Sequence, residues 1–238
     1  MATHTHYGYS LCITGAIGVG KSTVIDIVKE LFKDYTIQEL PEYLGIDVKH
    51  GQTMLERKID GELSNLTFQN YVIDMYKLKL KQLEDEGPFD IRICERIPED
   101  SVYCFSNLSN IDGELSDFEL YVLKNRFDRL KDEFNLPSYG DKTTEFIRVD
   151  ATGLNDVVSQ VSAIIKHDLE YGVKKRIIGL GAPIDIIMER IKKRNRKGED
   201  KYDTKWLAMI TMFYDKLYNY IQYDRDRLNR FTCIGSLF

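Results

Sequence analysis

The stretch "LCITGAIGVGKST", Leu11 to Thr23, decides the fold class of this 238-residue chain. Its centre fits G-x-x-x-x-G-K-[ST], the phosphate-binding P-loop. An apolar run precedes the glycines, and a segment with apolar residues at helical spacing follows them. The motif requires this strand–loop–helix context. The sequence therefore predicts backbone N–H groups aimed at one anion, beside the positive end of a helix.

The loop residues have separate predicted roles in holding a nucleotide. Gly15 and Gly20 allow backbone torsions that a Cβ would forbid. Lys21 adds a positive charge for the terminal phosphates, and Ser22 offers a hydroxyl to Mg²⁺. A glycine-rich turn that binds nothing is the weaker alternative. The residues predicted to bind ATP in this loop are Gly15, Ala16, Ile17, Gly18, Val19, Gly20, Lys21, Ser22 and Thr23.

Composition limits the classes of protein to which the chain can belong. Charged residues are 30% and hydrophobic residues 43%, which is typical of one well-buried α/β domain covering 1–238. The net charge of -5 argues against nonspecific binding to nucleic acid or to an anionic membrane. Four cysteines without metal-binding spacing indicate a reducing compartment, so a cytoplasmic location is expected. Residues 1–8 are expected to be flexible.

Hydrophobic periodicity divides the chain into alternating strands and helices. Such alternation predicts an α/β fold, a parallel sheet with helices on both faces. The predicted strands are 9–14, 35–40, 90–95, 144–150 and 174–182. The predicted helices are 21–33, 64–85, 99–108, 114–133, 154–169, 184–197 and 203–228.

Two further groups of residues suggest phosphate chemistry. Glu95 follows the third strand at the sheet edge where ligands bind, so it is a candidate for holding Mg²⁺, and Arg96 could reach a phosphate. The segment "MERIKKRNRKGED" predicts an arginine-rich lid at about 190–203 that clamps the phosphoryl group and excludes water. A solvated basic helix face is the alternative. The lid residues predicted to bind ATP are Arg190, Arg194 and Arg196.

Four segments resemble the deoxynucleoside kinase family, and most closely the herpesviral-type thymidine kinases. They are the P-loop, "LPEYLG" at 40–45, "ERIPEDSVYCF" at 95–105 and "LGAPIDIIMERIKKRNRKGED" at 180–200. The region between 106 and 172 matches poorly. The resemblance implies a P-loop kinase fold with a five-stranded parallel sheet.

The resemblance also implies roles for individual residues. Glu42 matches the carboxylate that takes the proton from the sugar 5′-hydroxyl, and it competes with Glu39 as candidate base. Lys21 and Arg96 complete the catalytic set, while Ser22 and Glu95 are associated with Mg²⁺. The residues implied in binding the deoxynucleoside are Glu42, Gln69 at the edge of the base, Arg96, Ser101, Phe105 stacked on the base, and Glu199 at the 3′-hydroxyl.

Two features depart from the family pattern. The family has a tyrosine before the glutamine that also contacts the 3′-hydroxyl, but residues 44–70 contain no tyrosine. In the family the lid strand comes before the last strand, but here "TEFIRVD", which resembles that last strand, precedes the lid strand "KKRIIGLGA". We predict a five-stranded parallel sheet with strands in the spatial order 2-3-1-4-5. We therefore predict that "KKRIIGLGA" lies next to the P-loop strand and "TEFIRVD" at the edge beyond it.

The function implied is ATP-dependent phosphorylation of a deoxynucleoside, with Mg²⁺, in nucleotide salvage. Ser101 is small and uncharged, which favours thymidine and also deoxycytidine. A homodimer is expected, with no nucleic-acid or membrane partner. One alternative is thymidylate kinase or another nucleoside monophosphate kinase, with Arg92 or Lys49 near the acceptor phosphate. The other is a nucleotide-binding protein without turnover.

Overall fold

A computed structural model describes residues 8–195 and 204–235, with side chains described up to residue 222. The expected flexible leader therefore lies outside the described residues, apart from Gly8, and so do Arg196, Glu199 and most of the predicted lid. The sheet has five strands, all parallel, in the order β2-β3-β1-β5-β4. The strands are β1 (Tyr9–Gly15), β2 (Ile37–Leu40), β3 (Ile91–Glu95), β4 (Thr144–Asp150) and β5 (Lys175–Gly181).

Helices connect the strands, and the chain sets their ends with local hydrogen bonds. The side chains of Ser64 and Ser116 accept from the third residue of the helices they precede, and Gly172 ends another helix in the left-handed conformation. The helices are α1 (Lys21–Leu31), α2 (Tyr43–Ile46), α3 (Val48–Ile59), α4 (Asn65–Asp85), α5 (Pro98–Asp100), a π-helical segment (Ser101–Ser106), α6 (Asn107–Ile111), α7 (Asp117–Glu133), α8 (Leu154–Tyr171), α9 (Ile184–Arg194) and α10 (Thr204–Gly235).

The predicted elements are confirmed with small shifts of their ends. β2 begins at Ile37 instead of residue 35, and α9 ends at Arg194 because Asn195 has a φ of +48°. Periodicity missed α2 and α3. Their region contributes few buried side chains: in α3 only Gly51, Met54 and Leu55 are buried. The apolar repeat is therefore too sparse for recognition.

Both faces of the sheet are covered, as the pattern of alternation predicted. Successive residues of β1 point to opposite faces, so Leu11 and Ile13 pack in one core with α1 and α8. Cys12 packs on the other face, in a larger core with α4, α7 and α10. The two cores hold the central strands rigidly, with their carboxyl ends at one edge of the sheet.

The predicted placement of the last two strands is confirmed. β5 pairs with β1, and β4 forms the edge beyond it. The predicted order 2-3-1-4-5 is wrong when the strands are numbered along the chain: the order is 2-3-1-5-4, because β5, the last strand in the sequence, lies beside β1. β5 is buried from Ile177 to Leu180, whereas β4 exposes Glu145, Arg148 and Asp150. A strand with charged side chains is stable at an edge, and a continuous apolar strand requires neighbours on both sides.

The exchange of strand order preserves the hand of the crossovers. The unit β1–α1–β2 and the unit β4–α8–β5 step across the sheet in the same direction. Their helices α1 and α8 lie on the same face and pack together. The two units therefore have the same hand, as expected where nearly all parallel crossovers share one hand.

The described cysteines and helices bear on the expected compartment and on the membrane. Cys12, Cys94 and Cys104 are buried free thiols. None of the helices, as far as they are described, combines the length and apolarity needed to cross a membrane.

Candidate active site

The P-loop is fitted tightly between β5 and α9. Gly15 has a φ of +146°, and a Cβ there would lie 2.5 Å from the carbonyl oxygen of Leu180. Gly18 has a φ of +80°, and a Cβ there would lie 2.7 Å from Cγ1 of Ile191. Glycine is required at both positions because of the backbone torsion and because of the close neighbour. The lid helix α9 and the loop are therefore one packed unit.

Lys21 is buried at the base of the loop, with 5% of its surface exposed. Its ammonium donates hydrogen bonds to the carbonyl oxygens of Gly15 at 3.2 Å and Ala16 at 3.1 Å. Burial, together with the positive charge of Arg96, lowers the pKa of Lys21 to about 8. The first turn of α1 thus carries a desolvated cation that favours an anionic ligand.

Ser22 and Glu95 lie together at the mouth of the loop. Ser22 Oγ donates to Glu95 Oε1 at 2.9 Å. Burial raises the pKa of the Glu95 carboxyl, and Lys21 opposes that shift. A hydroxyl and a carboxylate are oxygen ligands suited to Mg²⁺, which keeps water and phosphate oxygens as its other ligands. Within the described part of the chain, no group of three or more His, Cys, Asp or Glu side chains could hold a metal by itself.

The buried Arg96 and the half-buried Glu42 form an ion pair beside the P-loop. Arg96 Nε lies 3.3 Å from Glu42 Oε1, and Nη1 donates to the hydroxyl of Tyr214 at 2.9 Å. The guanidinium lies over the Phe105 ring, 4.9 Å from its centroid. Burial disfavours the charged guanidinium, but Glu42, Tyr214, Asp100 and Glu95 together outweigh this effect and raise the pKa of Arg96 above its ordinary value. The guanidinium of Arg96 therefore stays charged, and its contacts with Glu42, Tyr214 and Phe105 fix its position.

The backbone at Arg96 has a strained conformation. Its φ is +66°, unusual for a residue other than glycine, and its N–H donates to Ile13 O at 3.0 Å. Asp100 lies buried nearby and accepts hydrogen bonds from Thr14 and from Tyr139, the latter at 2.7 Å. Burial raises the pKa of Asp100, and these hydrogen bonds oppose the shift. This network fixes the turn that presents Arg96.

One cleft of 880 Å³ connects the P-loop to the predicted acceptor residues. Gln69 lines it and is 6% exposed, with its Oε1 buried and without a hydrogen-bond partner. A buried acceptor without a partner is costly unless a ligand supplies a donor. Ser101 and Phe105 also line the cleft. The structure thus places Gln69, Ser101 and Phe105 in one cavity with Glu42 and Arg96.

The described lid arginines make unequal contacts. Arg190 donates to the carbonyl oxygens of Val19 at 2.9 Å, Ala151 at 2.8 Å and Thr152 at 2.9 Å. It therefore ties α9 to the P-loop and to the turn after β4, a role that the sequence did not indicate. Arg194 lines the cleft from the exposed end of α9.

Three charged residues considered from the sequence lie elsewhere. Glu39 pairs with Lys29 of α1, and Arg92 donates to Gln38 Oε1 at 3.1 and 2.7 Å. Lys49 is exposed on α3. None of the three is among the described residues that line the cleft.

Sequence reasoning missed two residues of the network around Arg96 and a polar cluster that lines the cleft. Tyr214 reaches Arg96 from a helix 118 positions away, so no local pattern indicates it. Asp100 lies in "ERIPEDSVYCF", one of the segments that resemble the family. An acidic residue four positions after Arg96 could have suggested an electrostatic partner for that arginine. At the other end of the cleft, a polar cluster joins Lys58, Asn65 and Glu114.

Comparisons with known proteins identify a matching family and a similar fold. The family model described as deoxynucleoside kinase matches residues 11–140, more than half of the chain. A solved structure of deoxyadenosine kinase from M. mycoides with bound dCTP is similar in fold, with a TM-score of 0.56 at 15% sequence identity. The alignment covers 90% of this chain and 86% of that one. A search of curated proteins finds no significant match.

Proposed function

The chain belongs to the deoxynucleoside kinase family, and we propose that it transfers the γ-phosphoryl group of MgATP to the 5′-hydroxyl of a deoxynucleoside, with thymidine and deoxycytidine as acceptors. The observation that carries the reaction is the Glu42–Arg96 pair. It lies between the P-loop and the Gln69 end of one cleft. A carboxylate and a guanidinium at that junction are placed between a donor phosphate and an acceptor hydroxyl.

The residues divide the reaction between them. Loop N–H groups and Lys21 hold the donor phosphates. Glu42 accepts the 5′-hydroxyl proton while that oxygen forms a bond to the γ-phosphorus and the bond from γ-phosphorus to the bridging oxygen breaks, releasing ADP. Arg96 orients Glu42 and offsets negative charge in the transition state. Ser22 and Glu95 would hold Mg²⁺, which would neutralise negative charge on the phosphates.

The acceptor end favours a base with hydrogen-bonding groups along one edge. Gln69 offers one amide acceptor and one amide donor, which matches the N3 and C4 groups of a pyrimidine. Phe105 provides an aromatic face, with the Trp206 and Tyr214 rings each 6.4 Å from it. Ser101 leaves space for the 5-methyl group of thymine and introduces no charge. The similar solved structure concerns deoxyadenosine and dCTP, so adenine and cytosine belong in any test.

The two alternatives fit the cleft less well. A nucleoside monophosphate kinase requires additional positive charge near the acceptor. Arg92 and Lys49 lie outside the cleft lining, and Lys58, which does line the cleft, lies beside the carboxylate of Glu114. A nucleotide-binding protein without turnover has no use for a carboxylate paired with a buried arginine beside the P-loop. The Glu42–Arg96 pair therefore favours the kinase.

A coupled assay of ADP release with four deoxynucleosides and thymidine monophosphate tests the proposal. We expect ATP consumption that depends on thymidine or deoxycytidine. Release that depends only on the monophosphate would support the first alternative, and ATP binding without turnover the second. Efficient use of deoxyguanosine without use of thymidine would contradict the proposed specificity.

A pair of variants at Ser101 examines the pocket itself. Ser101→Arg should lower kcat/KM for thymidine at least about tenfold, because the larger side chain fills the space beside the base. Ser101→Ala is the matched control and should stay within about threefold of wild type, because it leaves that space open. Equal values for both variants would show that this side chain does not face the base.

A further inference from the structure

Three polar side chains meet at the outer end of the cleft. Lys58 lies in the last turn of α3, Asn65 is the first residue of α4, and Glu114 follows α6. Asn65 Nδ2 donates to Glu114 Oε2, and Lys58 Nζ lies 3.7 Å from the same oxygen. All three line the cavity that contains Gln69. The resemblance to known kinases assigns none of them a role.

The direction of α4 places this cluster beyond the base-binding residues. The helix leads from the carboxyl end of β2 back to the start of β3, so its first residues lie farthest above the sheet. Asn65 precedes Gln69 by four positions, which is about one turn on the same helix face. The cluster of Lys58, Asn65 and Glu114 is therefore the outer wall of the acceptor site.

The shape of a deoxynucleoside indicates which group meets this wall. The base and the 5′-carbon lie on one face of the sugar ring, and the 3′-hydroxyl lies on the opposite face. When the 5′-oxygen is at Glu42 and the base is at Gln69, the 3′-hydroxyl points away from both. Among the described cleft-lining residues of segment 44–70, the other polar side chains are Lys58 and Asn65. This is the segment that lacks the tyrosine of related kinases.

The chemistry of the pair suits a hydroxyl group. A hydroxyl both accepts and donates a hydrogen bond, an ammonium only donates, and a carboxylate only accepts. The separation of 3.7 Å is too long for a hydrogen bond between Lys58 and Glu114. The ammonium of Lys58 therefore retains N–H donors for a ligand. Asn65 fixes the position of the Glu114 carboxylate.

We propose that Lys58 and Glu114 bind the 3′-hydroxyl of the acceptor sugar and replace the missing tyrosine. The inference rests on the proposed function, since it concerns the same acceptor. It makes Lys58 and Glu114 specificity residues that distinguish a sugar with a 3′-hydroxyl from one without it.

The test compares each variant on two substrates. The probes are the deoxynucleoside that the wild-type enzyme uses fastest and its 2′,3′-dideoxy counterpart, which lacks only the 3′-hydroxyl. Hydrogen bonds to charged groups correspond to about 10- to 100-fold in kcat/KM. We expect Lys58→Met and Glu114→Gln to lower kcat/KM by that factor on the deoxynucleoside. On the dideoxynucleoside both should stay within about threefold of wild type.

The controls separate this contact from a structural role and from the kinase assignment. Lys49→Met removes an exposed lysine of the same helix and should change neither substrate. Equal losses on both substrates would assign Lys58 and Glu114 to the base or to folding and overturn the inference. A wild-type enzyme that uses both substrates equally well would overturn it without any variant. An enzyme that phosphorylates no nucleoside would refute the proposed function itself.

Discussion

Glu39 and Glu42 are three residues apart, yet their surroundings differ completely. Glu39 lies within β2 and points to Lys29 of α1, so its charge is already paired. Glu42 follows Pro41 after the strand has ended, and it faces Arg96 in the cleft. A strand alternates the direction of its side chains, whereas the residue after a strand end is free of that pattern.

Replacing each glutamate by glutamine should show which of the two is the catalytic base. Glu42→Gln keeps the shape but removes the proton acceptor, so kcat should fall by roughly 10²- to 10⁴-fold while ATP affinity is little changed. Glu39→Gln, the matched control, should stay within about tenfold. The measurement is turnover at saturating MgATP together with nucleotide binding. A collapse in Glu39→Gln with near-normal Glu42→Gln would show that the wrong carboxylate was chosen.

Among the elements, α9 and the P-loop are joined by Arg190. Its three hydrogen bonds end on backbone carbonyls of the loop and of the turn between β4 and α8. Such contacts fix a loop in place but cannot distinguish one ligand from another. The arginine that the sequence predicted to bind phosphates therefore holds the backbone of the P-loop in this structure.

Arg190→Ala should therefore loosen the donor site. We expect KM for ATP to rise about tenfold or more, with a smaller change in KM for the deoxynucleoside, because loop order contributes to phosphate binding. Lys192→Ala, which removes an exposed cation from the same helix, should have little effect on either constant. An unchanged KM for ATP in Arg190→Ala would show that the loop is ordered without these bonds.

The turn before β4 is held to β5 by one carboxylate. Asp141 accepts from the backbone N–H and hydroxyl of Thr143, both at 2.8 Å, and from Lys175 Nζ at 2.9 Å. Burial acts to raise the pKa of Asp141, but these hydrogen bonds dominate and lower it well below its ordinary value. The carboxylate therefore stabilises the folded state in its charged form.

Asp141→Asn should destabilise the protein by about 1–2 kcal/mol at pH 7. A depressed folded-state pKa gives stability that is present above the unfolded value of about 4 and is lost as pH falls toward the folded value. The difference between wild type and variant should thus be constant from pH 5 to 7 and shrink below pH 4. Denaturant unfolding at several pH values measures this difference, with Asp26→Asn, at an exposed position of α1, as control. A difference that grows on acidification would contradict the argument.

At the scale of the whole molecule, three large apolar side chains that are close in the sequence are exposed. Ile111, at the end of α6, and Phe118 and Tyr121, near the start of α7, are 65%, 74% and 62% exposed. Phe118 and Tyr121 are three positions apart and so share one face of α7, and an exposed apolar surface of this kind is typical of protein contacts. The homodimer expected from the family resemblance stays a prediction, and this surface is where we place it.

Sedimentation equilibrium should give twice the chain mass of 27.7 kDa. Phe118→Asp should shift the protein toward the monomer, since a charge buried in an apolar interface is unfavourable. Phe118 is exposed in the single chain, so the same change should leave the unfolding midpoint of the monomer nearly unaltered. A wild-type protein that sediments as a monomer at all concentrations would refute the prediction.

The sequence by itself determined the features that depend on local order. The P-loop was recognisable because its glycines, Lys21 and Ser22 act within eight consecutive residues. The edge position of β4 and the position of β5 beside β1 were predicted from the family resemblance of "TEFIRVD" and "KKRIIGLGA". The charges of the first segment and the apolar run of the second agree with that placement, because an edge strand tolerates polar side chains and a central strand is buried.

The tertiary structure alone decided what distant residues do together. The partner of Arg96, Tyr214, comes from the last helix, and the contact of Lys58 with Glu114 joins α3 to the segment after α6. The sequence predicted Arg190 to be a lid cation that binds ATP. In the structure it donates hydrogen bonds to backbone carbonyls on two separate loops. Sequence patterns record which faces are buried, but the pairing of polar groups across the cleft depends on how the packed helices bring them into contact.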